Sequence, residues 1–402
     1  MTRLLLTANS PGEMAGWVRP LVREWRAQNV GPVDLLLLPC SFATGQEERV
    51  ARSLEGVDRV YRPRDYLKLL ARDGRDYRDG VLLHLGGDLM YSAFLSWRWK
   101  LSAWSYLWAR PWWDSAFEGY FTKDDWGVRW LKKRKVAEQK IHLLGDLVLD
   151  AVRQEVPQPE AGKRRFCISY LPGSRATEVK GLTPFLLGVH DLLCQKYPGL
   201  EGVLHLSPFL PQDDIPSLIQ QPPDPAFGGL QGRLEGDELH AGAGKLKVVT
   251  AEGYQRLSQS MMAVSIPGTK TAEAGYLRTP VVTMTPLNRP EHLPSIGLVG
   301  LLDFLPGGNR IKGQLMLRLK PTIGLLAHPN ILAGRALLPE ILEVVDGPMV
   351  ADMVSQSLEE SGKLESVMDD LKALYSWQAQ PAAAMVQKML ASRDGSRPNN
   401  PA

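Results

Sequence analysis

The chain has 402 residues, 44% of them hydrophobic and 23% charged, enough apolar material for two domains of ordinary size, which excludes a disordered protein or a small stapled scaffold. Lys and Arg number 47 against 44 Asp and Glu, a net charge of +3; that balance excludes the broad phosphate-neutralising surface of a dedicated nucleic-acid binder, so no nucleic-acid partner is expected. The cysteines Cys40, Cys167 and Cys194 lack the spacing of a metal knuckle or redox pair and read as reduced cytosolic thiols. The opening run Leu4-Leu5-Leu6 is too short for a signal peptide, and charges or prolines interrupt every other apolar stretch before it could span a bilayer.

In chain order, short apolar runs read as strands at Leu4 to Ala8, Asp34 to Leu38, Val81 to Leu85, Gly119 to Thr122 and Ile141 to Leu144, with helical patterns between them. Such alternation predicts βαβ units and a mostly parallel sheet covered on both faces. A proline-containing polar stretch from Val156 to Lys163 reads as a linker. The pattern then restarts with strands at Phe166 to Leu171, Val203 to Leu206, Leu246 to Val249, Ala263 to Ile266 and Pro280 to Met284. Gln221 to Lys245, rich in Gly and Pro, reads as a long surface loop or irregular hairpin. Helical signals follow at Leu337 to Val345, Met349 to Leu358, Leu364 to Leu374 and Pro381 to Leu390. The expected organisation is a doubly wound domain over residues 1–156, a second over 164–347, helices over 348–394 packing back on the first domain, and a disordered tail over 395–402.

The sharpest local motif is Leu171-Pro172-Gly173-Ser174-Arg175-Ala176-Thr177-Glu178, directly after a strand and before a helix. Small residues at such a turn leave amides free for an anion, and Arg175 adds a bidentate clamp; a capping turn with a solvated arginine is the alternative. A second turn of the kind, Pro267-Gly268-Thr269-Lys270-Thr271-Ala272-Glu273, follows the strand at Ala263 to Ile266. Gly268 and Thr269 suit a diphosphate and Glu273 a ribose diol, although a lone Gly-Thr is more often an N-cap. Two such turns at one strand edge point jointly to a nucleotide diphosphate.

The first half has its own glycine turn, Ala8-Asn9-Ser10-Pro11-Gly12-Glu13, and His84-Leu85-Gly86-Gly87-Asp88 follows a later strand. Asp88 or His84 is a candidate general base, with Asp88 equally suited to cap the next helix. Eight of the eleven tryptophans fall between Trp97 and Trp130. Trp97, Leu101, Trp104 and Trp108 follow helical spacing, and Arg98, Lys100 and Arg110 lie nearby, a composition suited to a lipid surface or to packing under a sheet. No His/Cys/Asp cluster has ligand spacing, so no metal is expected.

These segments resemble the lipid-A-disaccharide synthase family of GT-B glycosyltransferases. The resemblance rests on Leu171-Pro172-Gly173-Ser174-Arg175 with Glu178-Val179, on Gly268-Thr269-Lys270-Thr271-Ala272-Glu273 with Pro280-Val281-Val282, and on Pro329-Asn330-Ile331-Leu332-Ala333-Gly334-Arg335 with Leu338-Pro339-Glu340. Weaker echoes are Pro11-Gly12-Glu13, Leu107-Trp108-Ala109-Arg110 and Leu144 to Asp150. The chain departs from the family where Gly86-Gly87-Asp88-Leu89-Met90-Tyr91 replaces an Asp-x-Pro-Asp-Phe-Asn segment, and where Pro267 and Lys270 replace small residues.

The resemblance implies a GT-B fold of two Rossmann-like domains facing a cleft. It implies a UDP-sugar donor of the glucosamine type as substrate, with no cofactor, and an amphipathic glycolipid acceptor. The donor would be held by Gly173, Ser174, Arg175, Gly268, Thr269, Lys270, Glu273, Asn330 and Arg335, and the acceptor by Trp104, Trp108 and Arg110. Asp88, or else Glu13, would take the acceptor's proton. The expected location is peripheral, at the inner face of the cytoplasmic membrane, with a homodimer as one arrangement. A UDP-sugar epimerase or soluble-acceptor transferase of the same fold, and a non-catalytic nucleotide-sugar or lipid binder, are the rival readings.

Overall fold

The structure, a computed structural model, describes residues 1–39, 46–157, 164–250, 253–289, 318, 324–375 and 379–395. Cys40, residues 158–163 of the expected linker and the tail beyond 395 lie outside the described residues. The chain divides into two compact units, one of residues 1–157 with 377–402, the other of residues 158–376.

Unit 1 is built on seven parallel strands: β1 (Leu4–Ala8), β2 (Val33–Leu37), β3 (Arg59–Tyr61), β4 (Val81–His84), β5 (Ser102–Tyr106), β6 (Gly119–Thr122) and β7 (Ile141–Leu143). Their order across the sheet is β3-β2-β1-β4-β5-β6-β7, with Leu4 opposite Val33 on one side and Val81 on the other. Every residue of β1, β2 and β4 is buried, as a parallel sheet covered on both faces requires. The helices are α1 (Pro11–Glu13), continued by a π-helical turn at Met14–Val18, α2 (Arg19–Ala27), α3 (Glu47–Ser53), α4 (Tyr66–Ala71), α5 (Leu89–Trp99), α6 (Asp125–Lys133) and α7 (Leu147–Arg153). Asp34 of β2, fully buried, accepts from Arg3 Nη1 at 3.1 and 3.0 Å and from the Tyr77 hydroxyl at 2.6 Å.

Unit 2 contains β8 (Arg165–Leu171), α8 (Ala176–Lys196), β9 (Glu201–His205), α9 (Ile215–Ile219), β10 (Arg233–Glu235), β11 (Glu238–Ala241), β12 (Gly244–Val249), α10 (Gly253–Gln259), β13 (Ser260–Ser265), α11 (Thr269–Tyr276), β14 (Val281–Pro286), α12 (His328–Ala333), β15 (Glu340–Glu343), α13 (Gly347–Glu359) and α14 (Ser361–Leu374). The strand order is β10-β11-β12-β9-β8-β13-β14-β15. All pairs are parallel except the β10-β11-β12 hairpins, which form where the sequence predicts a loop or irregular hairpin. Helix α8 buries Val179, Leu182, Phe185, Leu186, Val189 and Leu193 against Ile168, Leu204 and Val264 of the sheet. Each such side chain contributes about 1.5–3 kcal/mol.

Two expectations are corrected. The segment Leu337 to Val345, read as helical, holds strand β15, which pairs with β14 from Thr283↔Glu340 onward. The helices over 348–394 do not all pack on the first domain. Helix α13 buries Val350, Ala351 and Val354 in the core it shares with α8. Helix α14 ends in Tyr375, whose ring stacks edge-on against Tyr276 at 4.6 Å over Gly275, where a Cβ would lie 2.3 Å from Tyr375 Cζ. Both helices therefore belong to unit 2. Only the last helix, α15 (Pro381–Gly395), joins unit 1, packing on α2 and α7, with Asp150 accepting from the Ala382 amide at 2.7 Å.

Candidate functional site

In a doubly wound sheet, ligands bind beyond the carboxyl ends of the strands where the strand order reverses. Unit 2 reverses between β8 and β13, so the turns after these strands open side by side. They touch: a Cβ on Gly173 would lie 2.9 Å from Ile266 Cδ1. The structure thus brings Gly173, Ser174 and Arg175 beside Gly268, Thr269 and Lys270.

The two turns, alike in sequence, differ in what fills them. After β8, Glu178 folds back so that its Oε2 accepts from the Ser174 and Arg175 amides at 3.0 and 3.1 Å, while Arg175 Nη1 donates to Oε1 at 2.8 Å. The amides expected to be free for an anion are therefore occupied by a carboxylate from the third position of α8, the capping-box arrangement. Gly173 allows it, with φ +121° and no room for a Cβ, which would sit 2.2 Å from Glu178 Oε2. After β13 no side chain closes the turn. Thr271 bonds back to the Gly268 carbonyl through its amide at 3.1 Å and its hydroxyl at 2.8 Å. The amides of Gly268, Thr269 and Lys270 have no acceptor among the described residues.

Lys270 Nζ donates to Glu273 Oε2 at 2.6 Å and stands 5.5 Å from the Tyr254 ring centroid. Glu273 is buried, its charge met by Lys270, and its Oε1 is unclaimed among the described residues. Sequence reasoning missed His205, which ends β9 and donates or accepts through Nε2 with Ser169 Oγ at 2.8 Å. Burial pushes its pKa down to about 3, and the charges of Lys270 and Arg256 push the same way, so it stays neutral.

Asn330 and Arg335 take other work than the donor pocket implied by resemblance. Asn330 is fully buried; its Oδ1 accepts from the Leu337 and Leu338 amides at 2.9 and 2.8 Å, and its Nδ2 donates to Leu338 O and Glu340 Oε1 at 2.8 and 2.7 Å. It ties α12 to β15. Arg335 lies exposed and pairs with Asp370 of α14 at 2.7 Å.

Unit 1 reverses between β1 and β4, and the two candidate acids flank that point. Asp88 is exposed and caps α5, accepting from the Met90 amide at 2.9 Å; the capping alternative is the one the structure adopts. His84 is fully buried, its Nδ1 shared with Ser92 Oγ at 2.8 Å and Thr7 Oγ1 at 3.1 Å. Burial pushes its pKa down to about 3, which leaves it a neutral core group. Glu13 instead turns into the space between the β1 and β4 turns. Its Oε2 accepts from the Asn9 amide at 2.7 Å and the Ser10 amide at 3.2 Å, and burial pushes its pKa up to about 7 despite those bonds.

The tryptophan segment divides. Helix α5 stops at Trp99, with Lys100 left-handed at φ 55°, and Trp104 lies on β5, so the expected helical spacing does not hold. Trp104 is 2% exposed, stacked on Phe121 at 4.9 Å; it is a core residue and unavailable to an acceptor. Trp97, Trp108, Trp112 and Trp126 are exposed. Arg110 lies over the Trp112 ring at 5.6 Å and Arg134 over Trp130 at 3.6 Å. Among the described residues no helix is long and apolar enough to cross a membrane.

No family model matches the chain. It is 25% identical over 217 residues to lipid-A-disaccharide synthase of Myxococcus xanthus, covering 52% of this chain and 45% of that protein. The enzyme of the same name from Trichlorobacter lovleyi is 29% identical over 174 residues, 41% of this chain and 40% of that one. That from Azoarcus is 24% identical over 241 residues, 58% and 51%. The matches thus span about half, or less, of these relatives. Among solved structures, UDP-GlcNAc 2-epimerase from Neisseria meningitidis bound to UDP-GlcNAc superposes with a TM-score of 0.58 at 14% identity, over 97% of this chain and 100% of that one. MurG from Acinetobacter baumannii gives 0.51 at 10%, over 97% and 100%. Both similarities concern the fold. The chain thus has two doubly wound units of the GT-B class and is similar, over about half of its length, to lipid-A-disaccharide synthases.

Proposed function

We propose that the protein is a UDP-sugar-dependent glycosyltransferase that moves a glucosamine-type sugar to an amphipathic glycolipid acceptor. The observation that carries this reading is the pair of adjacent strand-to-helix turns in unit 2, one holding Arg175 and the other presenting the unclaimed amides of Gly268, Thr269 and Lys270. A departing nucleoside diphosphate gains negative charge as the glycosidic bond breaks, and preorganised amides with a guanidinium stabilise that charge where it develops. Arg175 exchanges Glu178 for a phosphate, Lys270 adds a second positive charge, and the unclaimed oxygen of Glu273 accepts from a ribose hydroxyl. The relatives' common description supports the transfer chemistry.

The acceptor side rests on unit 1. Exposed Trp108 and Trp112, with Arg110 over the latter, combine apolar surface with positive charge, which suits acyl chains and anionic headgroups. This supports peripheral attachment at the inner face of the cytoplasmic membrane. Trp104, being core, is not part of that surface.

A second reading, UDP-sugar 2-epimerisation, is favoured by the match to the Neisseria epimerase over nearly the whole chain. Incubation with UDP-N-acetylglucosamine separates the two. Transfer releases UDP only when an alkyl glucosaminide or glycolipid is supplied and yields a glycosylated acceptor; epimerisation needs no acceptor and leaves the nucleotide attached to the altered sugar. Appearance of the 2-epimer without acceptor would overturn the transferase reading.

A further inference from the structure

A chain of hydrogen bonds under the sheet edge of unit 2 has a fixed polarity. Ser260 Oγ donates to the Arg256 carbonyl at 3.0 Å, and a carbonyl can only accept. Its one proton spent, Ser260 accepts from Ser169 Oγ at 2.7 Å. Ser169 in turn has no proton left and accepts from His205 Nε2 at 2.8 Å. This order assigns the Nε2–H tautomer to His205 and leaves Nδ1 a bare lone pair. Nδ1 has no hydrogen-bond partner among the described residues, in a residue 8% exposed, where a buried polar atom is ordinarily paired.

Its position gives that lone pair a use. Leu204 stands opposite Tyr170, so His205 is level with Leu171, which in turn stands opposite Ser265. The turns after β8 and β13 start from that same level of the sheet. Val249, which ends β12, is opposite His205, and α10 begins at Gly253, where a Cβ would make an ordinary 3.5 Å contact with Nδ1. The next residue, Tyr254, stands beside Lys270, and α10 packs on α11. Burial, and after it the charges of Lys270 and Arg256, hold the His205 ring neutral. A neutral lone pair repels phosphate oxygens and cannot serve a diphosphate; it takes an N–H or an O–H. The orphan nitrogen of His84 is sealed in a residue of 0% exposure. His205 differs in keeping some surface, and in lying within reach of the charge of Lys270, whose turn holds unclaimed amides of its own.

Resting on the transferase reading, in which those amides take the diphosphate, we infer that His205 is a specificity-determining residue of the nucleotide site, its Nδ1 accepting a hydrogen bond from an uncharged donor of the nucleoside. A uridine nucleotide offers two such donors, the imide N–H of the base and the ribose hydroxyls. Cytosine carries a lone pair where uracil carries the imide proton, so an imide contact separates the two bases. A hydroxyl contact separates ribose from its deoxy forms. Ser169 and Ser260 are positioning residues: they act through His205, by fixing which of its nitrogens carries the proton.

The test is calorimetric titration of the full-length wild type, His205→Phe and Ser169→Ala with UDP, CDP, 2′-deoxy-UDP and 3′-deoxy-UDP. His205→Phe keeps a ring and removes the lone pair. It is expected to weaken UDP at least about fivefold, as a donor left unpaired in a buried site requires, and to shrink the wild type's preference for UDP over one of the other nucleotides. A preference over CDP that shrinks assigns the imide, and one over a deoxy nucleotide assigns the hydroxyl; either result supports the proposal. Ser169→Ala, which frees the tautomer, is expected to shrink the same preference by a smaller factor. A loss by one common factor for all the nucleotides is what a distorted turn produces and overturns the proposal, as does unchanged affinity in His205→Phe. A wild type that binds none of the nucleotides refutes the transferase reading on which the proposal rests. A readout on the wild type alone is the imidazole ¹⁵N spectrum, with the His205 signals identified by their loss in His205→Phe or their shift in Ser169→Ala. An unprotonated Nδ1 whose resonance moves toward that of a hydrogen-bonded nitrogen on addition of UDP supports the proposal. The opposite tautomer, or an Nδ1 signal that UDP leaves in place, overturns it.

Discussion

Glu13→Gln should stabilise unit 1 above neutral pH. Burial pushes the carboxyl up to about 7 in the folded state against an ordinary 4.5, outweighing the hydrogen bonds it accepts from the Asn9 and Ser10 amides and the Ser10 side chain. Below the ordinary value both folded and unfolded states carry the proton and the carboxyl has no effect on folding. As pH rises through 4.5 the unfolded chain ionises first, and above 7 the folded state bears the full cost of a buried, unpaired carboxylate. At 1.36 kcal/mol for each tenfold change in proton affinity, that cost reaches about 3 kcal/mol. A glutamine carbonyl still accepts from both the Asn9 and Ser10 amides, so the variant keeps the cap and sheds the charge. The expected result is near-equal stability at pH 5 and a gain of roughly 2–3 kcal/mol at pH 8. Urea unfolding followed by tryptophan fluorescence isolates the effect, because all eleven tryptophans fall within the residues of unit 1. A variant equally destabilised at pH 5 and pH 8 refutes the reasoning.

Three further outcomes follow from the same structure. Asp34→Ala strands Arg3 and the Tyr77 hydroxyl beside a buried strand and should cost about 3–5 kcal/mol in the fluorescence-detected transition; a loss below about 1 kcal/mol contradicts the pairing. Asn330→Ala removes the four hydrogen bonds of the Asn330 amide and leaves the Leu338 amide without its acceptor, so it should cost unit 2 roughly 1–3 kcal/mol by far-UV circular dichroism, with tryptophan fluorescence unmoved. Replacing Trp108 and Trp112 together by alanine should abolish flotation with vesicles rich in phosphatidylglycerol and leave stability within about 1 kcal/mol, whereas unchanged flotation rules that surface out as the membrane contact.

How much of this was legible in the sequence differs by element. Strands such as β1 and β2 were readable because a strand buried on both faces of a parallel sheet is an unbroken apolar run. Strand β5, Ser-Ala-Trp-Ser-Tyr, hid among tryptophans at helical spacing, and β15, with a glutamate at each end, read as helix because its four residues carry too little pattern to outvote the neighbouring leucines. The two glycine turns of unit 2 were legible as a pair, since Gly-containing strand-to-helix turns are local. What fills them was not. The Glu178 carboxylate on the Ser174 and Arg175 amides has a sequence signature, a glutamate at the third helical position, yet the same glutamate can reach forward to solvent. Asn330 looked like a ligand residue within a long specific run, although its amide serves the backbone of Leu337 and Leu338. The contrast between Glu13 and Asp88 was beyond the sequence altogether, because it depends on Gly86, after another strand, leaving room for the Glu13 carboxylate.

The central claim is that the paired turns of unit 2 hold a nucleoside diphosphate, and calorimetric titration of UDP into the wild type and Arg175→Ala tests it most directly. The expected result is binding with Kd on the order of micromolar in the wild type, weakened at least about tenfold in the variant, as loss of a charge-assisted contact requires. Equal affinity in both proteins, or no heat of binding in either, would contradict it.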